Sequence, residues 1–450
     1  MLYVDGQFSE TRSPDSSDVE HAISAATRAF REYSHWPAWR RAELLAKACA
    51  GLRARREELE RLIVTEARKP IQYARAEVDR ALTTFTFAEG EARRMAGEVV
   101  PLDAVPGSDG RLGVSLRVPR GPVAAITPFN FPLNLSAHKI APALACGATL
   151  VHKPAPETPG VAMALARIIH DAGAPPGVLN VVSCTNEDAA PLVEDERLRV
   201  LSFTGSSAVG WALTARAGSK KVLLELGGNA AVILEPDADL PRAIPRLVAG
   251  AFAYAGQVCI SVQRVYVADA LYETFRARFV EATLRLAIVG DPWRADVMVG
   301  PLIRTRDADR VEQWIAEAVA GGARLCTGAK REGDFVWPTV LEGVPEGARL
   351  CREEVFGPVV MLERSRDLDD AIARVNDSPY GLQAGIYTHD TRKVMKAFHE
   401  LQVGAVIHND VPVYRADHMP YGGTKRSGIG REGVRYAIEE MTEPRLLVMG

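Results

Sequence analysis

A thiol, a carboxylate and a side-chain amide stand in three separate motifs of this sequence. Cys259 lies in GQVCIS, Glu225 in LELGGNA and Asn130 in ITPFNFPLN. A thiolate can attack an electrophilic carbon, a buried carboxylate can act as a general base, and an amide N–H can stabilise an oxyanion. Each residue also has an ordinary explanation: a core cysteine, an exposed glutamate at a strand end and an asparagine in a turn.

Three further motifs hold residues that could contact a nucleotide. Lys153 in VHKPAPETP ends a predicted strand, where its ammonium could reach ribose hydroxyls or a phosphate. Gly205 in SFTGSSAVG joins a predicted strand to a helix whose N-terminus could bind a pyrophosphate. In REEVFGPVV, Glu354 could hold ribose hydroxyls and Phe356 could pack on a flat ring. None of these motifs is the GxGxxG fingerprint, and each by itself also fits a solvated lysine or a simple turn.

Strands that alternate with helices must position these residues. The apolar strand-like runs are GPVAAITP, ATLVHKP, VLNVVS, RVLSFTG and KVLLELGG. Helical segments separate them, which predicts a parallel sheet with right-handed crossovers. A second α/β series begins at AAVILEP, with a helix over 240–255, a strand over 264–268 and a helix over 272–284. We therefore place a domain junction at Gly227–Gly228.

The two ends of the chain carry further elements. Residues 40–67, RRAELLAKACAGLRARREELERLIVTEA, have the spacing of a long amphipathic helix or a helix pair. The C-terminal PRLLVM is an apolar strand with no obvious partner nearby. Such a strand is a candidate for pairing with another subunit.

Length and composition exclude several classes of protein. The chain has 450 residues, 47% hydrophobic and 25% charged, which suits a globular protein of two or three domains. The net charge is -3, and no basic tract indicates nucleic acid or a membrane as a partner. Nothing resembles a signal peptide or a run of about 20 apolar residues that could span a bilayer. The six cysteines are scattered without CxxC spacing and no HExxH motif occurs, which argues against a metal site and for a reducing cytoplasm.

Eight motifs follow one another in the order typical of one enzyme family: PFNFP, KPAPETP, SFTGSSAVG, ELGGNA, GQVCIS, EEVFGPV, NDSPYGL and YGGTKRSGIGREG. The sequence therefore resembles the aldehyde dehydrogenase superfamily, whose members oxidise aldehydes to acids with NAD(P), over nearly the whole chain. The resemblance implies an α/β fold with a Rossmann-like cofactor domain, an α/β catalytic domain and a β oligomerisation arm. It places the NAD(P)-binding domain at 1–97 and 118–226, the catalytic domain at 227–420, and the arm of a homodimer or homotetramer at 98–117 and 421–450.

The resemblance also implies a role for each motif. Cys259 corresponds to the nucleophile, Asn130 and the backbone N–H of Cys259 to the oxyanion hole, and Glu225 to the base. Because a base is needed to hydrolyse a thioester, Glu225 favours a free acid over a coenzyme A thioester as product. The implied cofactor contacts are Thr127, Pro128, Lys153, Pro156, Gly205, Ser206, Gly210, Leu226, Gly227, Glu354 and Phe356. Two alternatives remain: a cysteine esterase or hydrolase without hydride transfer, and a non-catalytic structural protein on this fold.

The sequence departs from the family pattern in two places. Between Gln7 and Asp18 it is shorter than its relatives, in which a longer stretch builds extra strands. Pro156 stands where strictly NAD-using members often carry a glutamate that repels a 2′-phosphate. Its absence predicts that NADP is at least tolerated beside NAD.

The substrate is suggested by the run HNDVPVYRADHMPYGG, which resembles the lactaldehyde and phosphonoacetaldehyde dehydrogenase branch. Two arginines and a histidine fall at the family's aldehyde funnel, and such a set suits an anionic tail. We predict a small anionic or hydroxylated aldehyde, such as phosphonoacetaldehyde, lactaldehyde, succinic semialdehyde or glyceraldehyde 3-phosphate. The alternative is that the arginines form surface or inter-subunit salt bridges. The implied substrate contacts are Arg80, Phe131, His138, Val258, Ile260 and Arg415.

Overall fold

The computed structural model describes residues 1–9 and 14–450. Part of the shortened segment between Gln7 and Asp18 therefore lies outside the described residues. No helix of the described chain is both long enough and apolar enough to cross a membrane.

Helices cover much of the described chain. In chain order they are α1 (Ser16–Tyr33), α2 (Ala38–Ala54), α3 (Arg56–Ala67), α4 (Ile71–Ala92), α5 (Pro132–Cys146), α6 (Pro159–Asp171), α7 (Ala190–Glu194), α8 (Ser207–Arg216), α9 (Leu240–Phe252), α10 (Tyr272–Leu286), α11 (Thr305–Ala320), α12 (Arg349–Arg352), α13 (Leu368–Asn376), α14 (Thr391–Glu400) and α15 (Val434–Met441).

Strands alternate with these helices. In chain order they are β1 (Leu2–Val4), β2 (Gln7–Ser9), β3 (Glu98–Val100), β4 (Leu112–Pro119), β5 (Val123–Ile126), β6 (Leu150–Lys153), β7 (Leu179–Val182), β8 (Val200–Thr204), β9 (Lys221–Glu225), β10 (Ala230–Leu234), β11 (Val262–Ala268), β12 (Arg324–Thr327), β13 (Arg331–Glu332), β14 (Phe335–Val336), β15 (Thr339–Glu342), β16 (Val359–Ser365), β17 (Tyr380–Gly381), β18 (Gln383–Tyr387), β19 (Ala405–His408), β20 (Thr424–Lys425), β21 (Gly428–Ile429) and β22 (Thr442–Met449).

The first large sheet has the strand order β2-β1-β7-β6-β5-β8-β9-β21. Its strands β7, β6, β5, β8 and β9 are parallel, which confirms the predicted parallel sheet. The chain winds outward from β5 in one direction through β6 and β7, and in the other through β8 and β9. The topological switch point therefore lies between β5 and β8, where ligands bind in doubly wound sheets.

The second large sheet has the order β12-β15-β16-β11-β10-β18-β19, and only its edge pair β12 and β15 is antiparallel. Because β9 belongs to the first sheet and β10 to the second, the chain passes between the sheets at Gly227–Gly228, where the sequence suggested a junction. Each sheet has its own extensive cluster of buried apolar side chains.

The predicted helices and strands differ from the observed ones mainly at their ends. Residues 40–67 form a helix pair, α2 and α3, rather than one long helix. The helix predicted over 240–255 ends at Phe252, because Tyr254 and Ala255 have φ angles of 52° and 55° and cannot continue it. The neighbouring strand begins at Val262 instead of residue 264.

A separate three-stranded sheet has the order β22-β4-β3. The C-terminal apolar strand therefore pairs with β4 of its own chain along its whole length, from Thr442 to Met449. The preceding part of 421–450 lies elsewhere, since β21 joins the first large sheet beside β9 and α15 packs on α5. Of the predicted arm segment 421–450, only β22 joins this three-stranded sheet, which we call the arm sheet.

Candidate active site

Cys259 lies in an irregular loop between α9 and β11. The loop begins with three residues in the left-handed region, Tyr254, Ala255 and Gly256, with φ of 52°, 55° and 68°. Two of these residues carry side chains, so the conformation is strained and has to be held by its surroundings. Such strain is common where a loop presents a reactive group.

Contacts from other parts of the chain hold this loop. The Tyr254 hydroxyl donates to the carbonyl of Ala67 at 2.7 Å, and the Gln257 Oε1 accepts from the backbone N–H of Ile303 at 3.0 Å. A Cβ at Gly256 would lie 2.2 Å from the carbonyl oxygen of Gly357, so no other residue fits there. The GQVCIS motif therefore packs directly against the EEVFGPV motif.

The thiol of Cys259 is surrounded largely by apolar side chains, among them Val258, Ile260 and Leu382. Its Sγ lies 3.1 Å from the hydroxyl of Tyr421. Burial raises the pKa of the Cys259 thiol to about 11. The sulfur is therefore mostly a neutral thiol near pH 7, and attack on an electrophile needs it to lose its proton.

Asn130 lies beside the Cys259 loop, just before α5. Its side chain is buried, and its Nδ2 donates to the carbonyl of Gln257 at 3.0 Å. This bond uses one of the two amide N–H groups and leaves the other for an oxyanion. The Asn130 Oδ1 has no partner among the described residues.

Glu225 ends β9 and is buried where the C-terminal glycine motif returns as β21. Burial and the nearby Glu432 raise its pKa well above the usual range of a carboxyl. Its Oε2 is buried without a partner within the described chain, so it is free to receive a proton. A Cβ at Gly228 would lie 2.6 Å from the Cys259 carbonyl, which places the LELGGNA motif against the thiol loop.

The carboxyl ends of β5, β6 and β8 form an edge that suits a nucleotide. Ile126 is in register with both Lys153 and Phe203, so Thr127, Pro128, Lys153 and Gly205 follow one another along this edge. Lys153 is buried, and its ammonium makes no ion pair or hydrogen bond within the described residues. Burial lowers its pKa. An unpaired, desolvated ammonium is the group expected at a site for phosphate or ribose oxygens.

The N-terminus of α8 adds a second polar feature to this edge. Ser206 is its N-cap residue and makes no side-chain capping bond, and Thr204 Oγ1 is buried with no partner in the part of the chain described. A Cβ at Gly210 would meet Leu226 at 2.4 Å, so this glycine lets α8 pack closely on the end of β9. The free backbone N–H groups at this helix end suit a pyrophosphate.

Glu354 and Phe356 contact the segments that follow β9 and β5 of the first sheet. A Cβ at Gly227 would be 2.3 Å from Glu354 Oε2, and Glu354 Oε1 accepts from the Gly228 backbone at 3.2 Å. Burial raises the pKa of Glu354 to about 7. Phe356 meets Phe129 edge to face, with ring centroids 6.0 Å apart.

Pro156, the residue that departs from the family pattern, is exposed. The next residue, Glu157, is ion-paired to Arg304, with its Oε1 2.7 Å from Nε. The one carboxylate adjoining Pro156 is thus neutralised, so it adds little negative charge at this position.

The two predicted arginines carry intramolecular ion pairs. Arg80 contacts Asp417 through Nε at 3.1 Å and Nη2 at 2.7 Å, and His138 Nε2 lies 2.8 Å from the same carboxylate. Arg415, whose side chain is 5% exposed, pairs with Glu432 at 3.0 Å. The alternative of surface or inter-subunit bridges is therefore wrong for Arg415, because its partner is buried in the same chain. Both predicted arginines are thus paired with carboxylates of the same chain.

The ring of Phe131 lies close to two cations, Arg80 and Lys69. The Arg80 guanidinium is 5.6 Å from the centroid of its ring, and the buried Lys69 ammonium is 3.6 Å from it. Lys69 pairs with Glu77, which also accepts from the backbone N–H of Leu133 at 2.8 Å. This pair fixes the start of α5, just after Asn130.

Besides Lys69 and Glu77, the site contains four residues that were not singled out from the sequence: Lys139, Asp417, Tyr421 and Glu432. Lys139 lies 3.2 Å from Glu432, and Asp417 joins Arg80 to His138. Tyr421 begins the glycine motif and Glu432 stands in its GREG end. For Tyr421 and Glu432, the signal that could have identified them is a hydroxyl or charged side chain inside a glycine-rich motif. Among the described residues, no cluster of His, Cys, Asp and Glu is placed to hold a metal ion.

Comparison with known proteins finds relatives over almost the whole chain. The model described as the aldehyde dehydrogenase family matches residues 5–447. The 3-sulfolactaldehyde dehydrogenase of Priestia aryabhattai is 44% identical over 448 residues, which are 99% of this chain and 93% of that protein.

Two solved structures match the fold closely. Aldehyde dehydrogenase 21 from Physcomitrella patens, in complex with the reaction product succinate, gives a TM-score of 0.97 at 41% identity, covering 100% of this chain and 97% of that chain. Glyceraldehyde-3-phosphate dehydrogenase GapN from Methanocaldococcus jannaschii, complexed with NADP, gives 0.93 at 39% identity, covering 98% and 96%.

Proposed function

Since the chain belongs to the aldehyde dehydrogenase family and is an NAD(P)-dependent enzyme that oxidises an aldehyde to its acid, we propose that its substrate is a small aldehyde with an anionic or hydroxylated tail. The observation that carries this proposal is the group of Arg80, His138 and Arg415 around one buried carboxylate, Asp417. The sulfonated, carboxylated and phosphorylated compounds in the names of the three relatives agree with it.

The reaction begins at Cys259. The thiol first loses its proton to solvent, and the resulting thiolate attacks the aldehyde carbon and gives a tetrahedral thiohemiacetal oxyanion. The unused N–H of Asn130 and the backbone N–H of Cys259 donate to this oxygen, and loss of one such donor typically slows a reaction about 10²–10³-fold. The apolar surroundings of the sulfur strengthen these bonds because little water competes for them.

The unpaired ammonium of Lys153 and the free N-terminus of α8 fit a dinucleotide. In this proposal Thr127, Pro128, Lys153, Gly205, Ser206, Gly210, Leu226, Gly227, Glu354 and Phe356 hold NAD(P). When bound, the cofactor supplies the two-electron oxidation that turns the thiohemiacetal into a thioester. NADP is accepted as well as NAD, because Pro156 brings no charge and Glu157 is neutralised by Arg304.

Glu225 completes the cycle by hydrolysing the thioester. Its buried carboxylate takes a proton from water, which attacks the acyl carbon, and Cys259 leaves as the thiolate. The carboxylic acid is then released. The raised pKa of Glu225 brings its proton affinity closer to working pH, which suits a general base.

The ion pairs of Arg80 and Arg415 are compatible with an anionic tail. An arginine has five N–H donors, and one carboxylate uses two at most in a bidentate contact. Arg80 keeps 28% of its side chain exposed and can donate to a second anion. Asp417 and Glu432 then hold the guanidinium groups in position, while Phe131, Val258 and Ile260 line the path to the thiol.

The domains follow from the same proposal. The first large sheet, with 1–97 and 118–226, holds the cofactor, and 227–420 carries the nucleophile. The three-stranded sheet, with 98–117 and the C-terminal strand, joins subunits into a homodimer or homotetramer. This division explains why the GQVCIS motif, which leads into β11 of the second sheet, and the SFTGSSAVG motif, which ends β8 of the first, serve one reaction.

An aldehyde panel assayed with both cofactors tests the proposal. Sulfolactaldehyde, phosphonoacetaldehyde, lactaldehyde, succinic semialdehyde and glyceraldehyde 3-phosphate are compared with hexanal and benzaldehyde. We expect higher kcat/KM for the anionic or hydroxylated aldehydes, and measurable turnover with NADP. Cys259→Ala is the control and should abolish NAD(P)H formation. A preference for hexanal would refute the substrate proposal, and a preference for NAD of more than about a thousandfold, which is about 4 kcal/mol, would refute NADP tolerance.

A further inference from the structure

Tyr421 brings a phenol hydroxyl to the reacting sulfur, and the mechanism above gives it no task. Its Oη lies 3.1 Å from the Cys259 Sγ, and the residue is 3% exposed. This distance is that of a hydrogen bond to sulfur, so the hydroxyl does more than line the pocket.

The chemical state of the sulfur decides the direction of this bond. While Cys259 is a thiol, either atom can donate to the other. Once the sulfur is a thiolate, only the phenol has a proton to donate. A hydrogen bond to an ionised partner is about twice as strong as a neutral one, so the contact favours the thiolate over the thiol.

We propose that Tyr421 is a positioning residue for the nucleophile, whose hydroxyl donates to the Cys259 sulfur and stabilises it as the thiolate. The inference rests on the proposal that Cys259 is the nucleophile, and it adds a residue to that site.

Tyr421 is held through its backbone and through one face of its ring. Its backbone N–H donates to the Glu432 carbonyl at 3.0 Å, and the Glu432 N–H donates back at 2.6 Å. The Arg415 guanidinium lies 3.7 Å from the centroid of the ring. Arg415, which is also a proposed contact of the substrate's tail, therefore packs on the ring whose hydroxyl reaches the nucleophile.

The charges around the sulfur make this hydrogen bond important. Glu354 and Glu225 both act to keep the thiol protonated, and so does burial. Arg415 and the Tyr421 hydroxyl act in the other direction. Removal of the hydroxyl therefore leaves Arg415 as the named group that favours the thiolate.

Alkylation of Cys259 by iodoacetamide tests the proposal without aldehyde or cofactor. The rate is measured from pH 6 to 10 by mass spectrometry of the Cys259 peptide in the full-length enzyme and in Tyr421→Phe. We expect alkylation to be about tenfold slower in Y421F across this pH range, because below the pKa of the thiol the thiolate fraction falls tenfold for each unit by which that pKa rises. Tyr387→Phe is the matched control, because Tyr387 is equally buried and its hydroxyl has no partner in the described chain.

An unchanged alkylation profile in Y421F would overturn the inference. Should Y421F fold poorly, as judged by its Tm, 3-fluorotyrosine at position 421 replaces it. This residue keeps the ring and donates more strongly, so it should accelerate alkylation near pH 7, and an unchanged rate again overturns the inference. Full turnover by Cys259→Ala would instead contradict the proposed nucleophile, so the two failures are distinguishable.

Discussion

Glu225 illustrates at the scale of single residues how position changes chemistry. It ends a buried strand, one of its oxygens has no partner among the described residues, and Glu432 lies nearby with its own cationic partners, Lys139 and Arg415. Burial and the second carboxylate disfavour the charged form, so the proton is held to a higher pH than in an exposed glutamate.

Glu225→Gln should separate the two halves of the reaction. A base acts when deprotonated, so the wild-type rate should rise with pH through the raised pKa of Glu225, at a pH above 4.5. The variant should lose that limb, turn over about 10²–10⁴-fold more slowly and accumulate acyl-enzyme. Acid-quench mass spectrometry and a pH–rate profile measure these effects.

Glu235→Gln is the control for this experiment, because Glu235 is also buried and follows a strand, β10, but pairs with Lys393 outside the site. The control should keep the wild-type pH limb. If E225Q shows the wild-type profile and no acyl-enzyme, Glu225 is not the base.

Arg80→Ala should weaken the binding of anionic aldehydes. The Arg80 side chain is 28% exposed and its guanidinium lies close to Phe131, so its loss removes a charge-assisted contact worth about 1.5–3 kcal/mol. We expect KM to rise about tenfold or more for anionic aldehydes, with little change for lactaldehyde. Arg216→Ala, which removes an arginine on α8 whose Nε and Nη2 contact Glu194 of α7, is the control. Unchanged kinetics for every anionic aldehyde would contradict the assignment.

The loop that follows α9 is the element on which the nucleophile depends. Three consecutive left-handed residues turn the chain out of the helix, and contacts to Ala67, Ile303 and Gly357 stabilise that turn. These contacts come from three distant parts of the chain, so the turn forms only when the fold is complete.

Gly256→Ala should therefore damage both stability and activity. The left-handed φ alone costs about 1–2 kcal/mol for alanine, and its Cβ would collide with the Gly357 carbonyl, so the loop has to shift. We expect a lower Tm and at least a tenfold fall in kcat. Gly218→Ala is a close control, since Gly218 has φ +61° and nothing within 4 Å of a Cβ. Equal effects of the two variants would show that the close contact is unimportant.

At the scale of the whole molecule, the arm sheet leaves apolar side chains in solvent. Leu447, Leu116 and Val99 are each more than 50% exposed, and the register of β22, β4 and β3 places them on one face of the sheet. A cluster of this kind on a sheet with a free edge suits burial against another subunit. This supports the proposed oligomer.

Leu447→Glu should reduce the oligomeric state. A charge placed in an apolar interface has to be desolvated, which disfavours association. Light scattering coupled to size exclusion should give a multiple of 48.8 kDa for the natural chain and a smaller mass for the variant. Leu284→Glu is the control, because Leu284 is 71% exposed on α10, away from the arm. A monomeric natural chain would contradict the proposal.

The sequence alone predicted the parallel sheet, the passage between the sheets at Gly227–Gly228, and the family. These features depend on local patterns: apolar runs four to eight residues long, glycines at turns, and motifs in a fixed order. The sequence did not predict the end of α9, since the left-handed turn after Phe252 is stabilised by residues far away in the chain.

The sequence by itself determined which groups are candidates for the chemistry: the thiol of Cys259, the strand-end carboxylate of Glu225, the amide of Asn130 and a set of arginines. Only the tertiary structure decided what each group faces. It paired Arg80 with Asp417 and Arg415 with Glu432, left Lys153 without a partner among the described residues, and brought Tyr421 to the Cys259 sulfur. The physical reason is that pairing and desolvation depend on distances across the fold, which residue order does not encode locally.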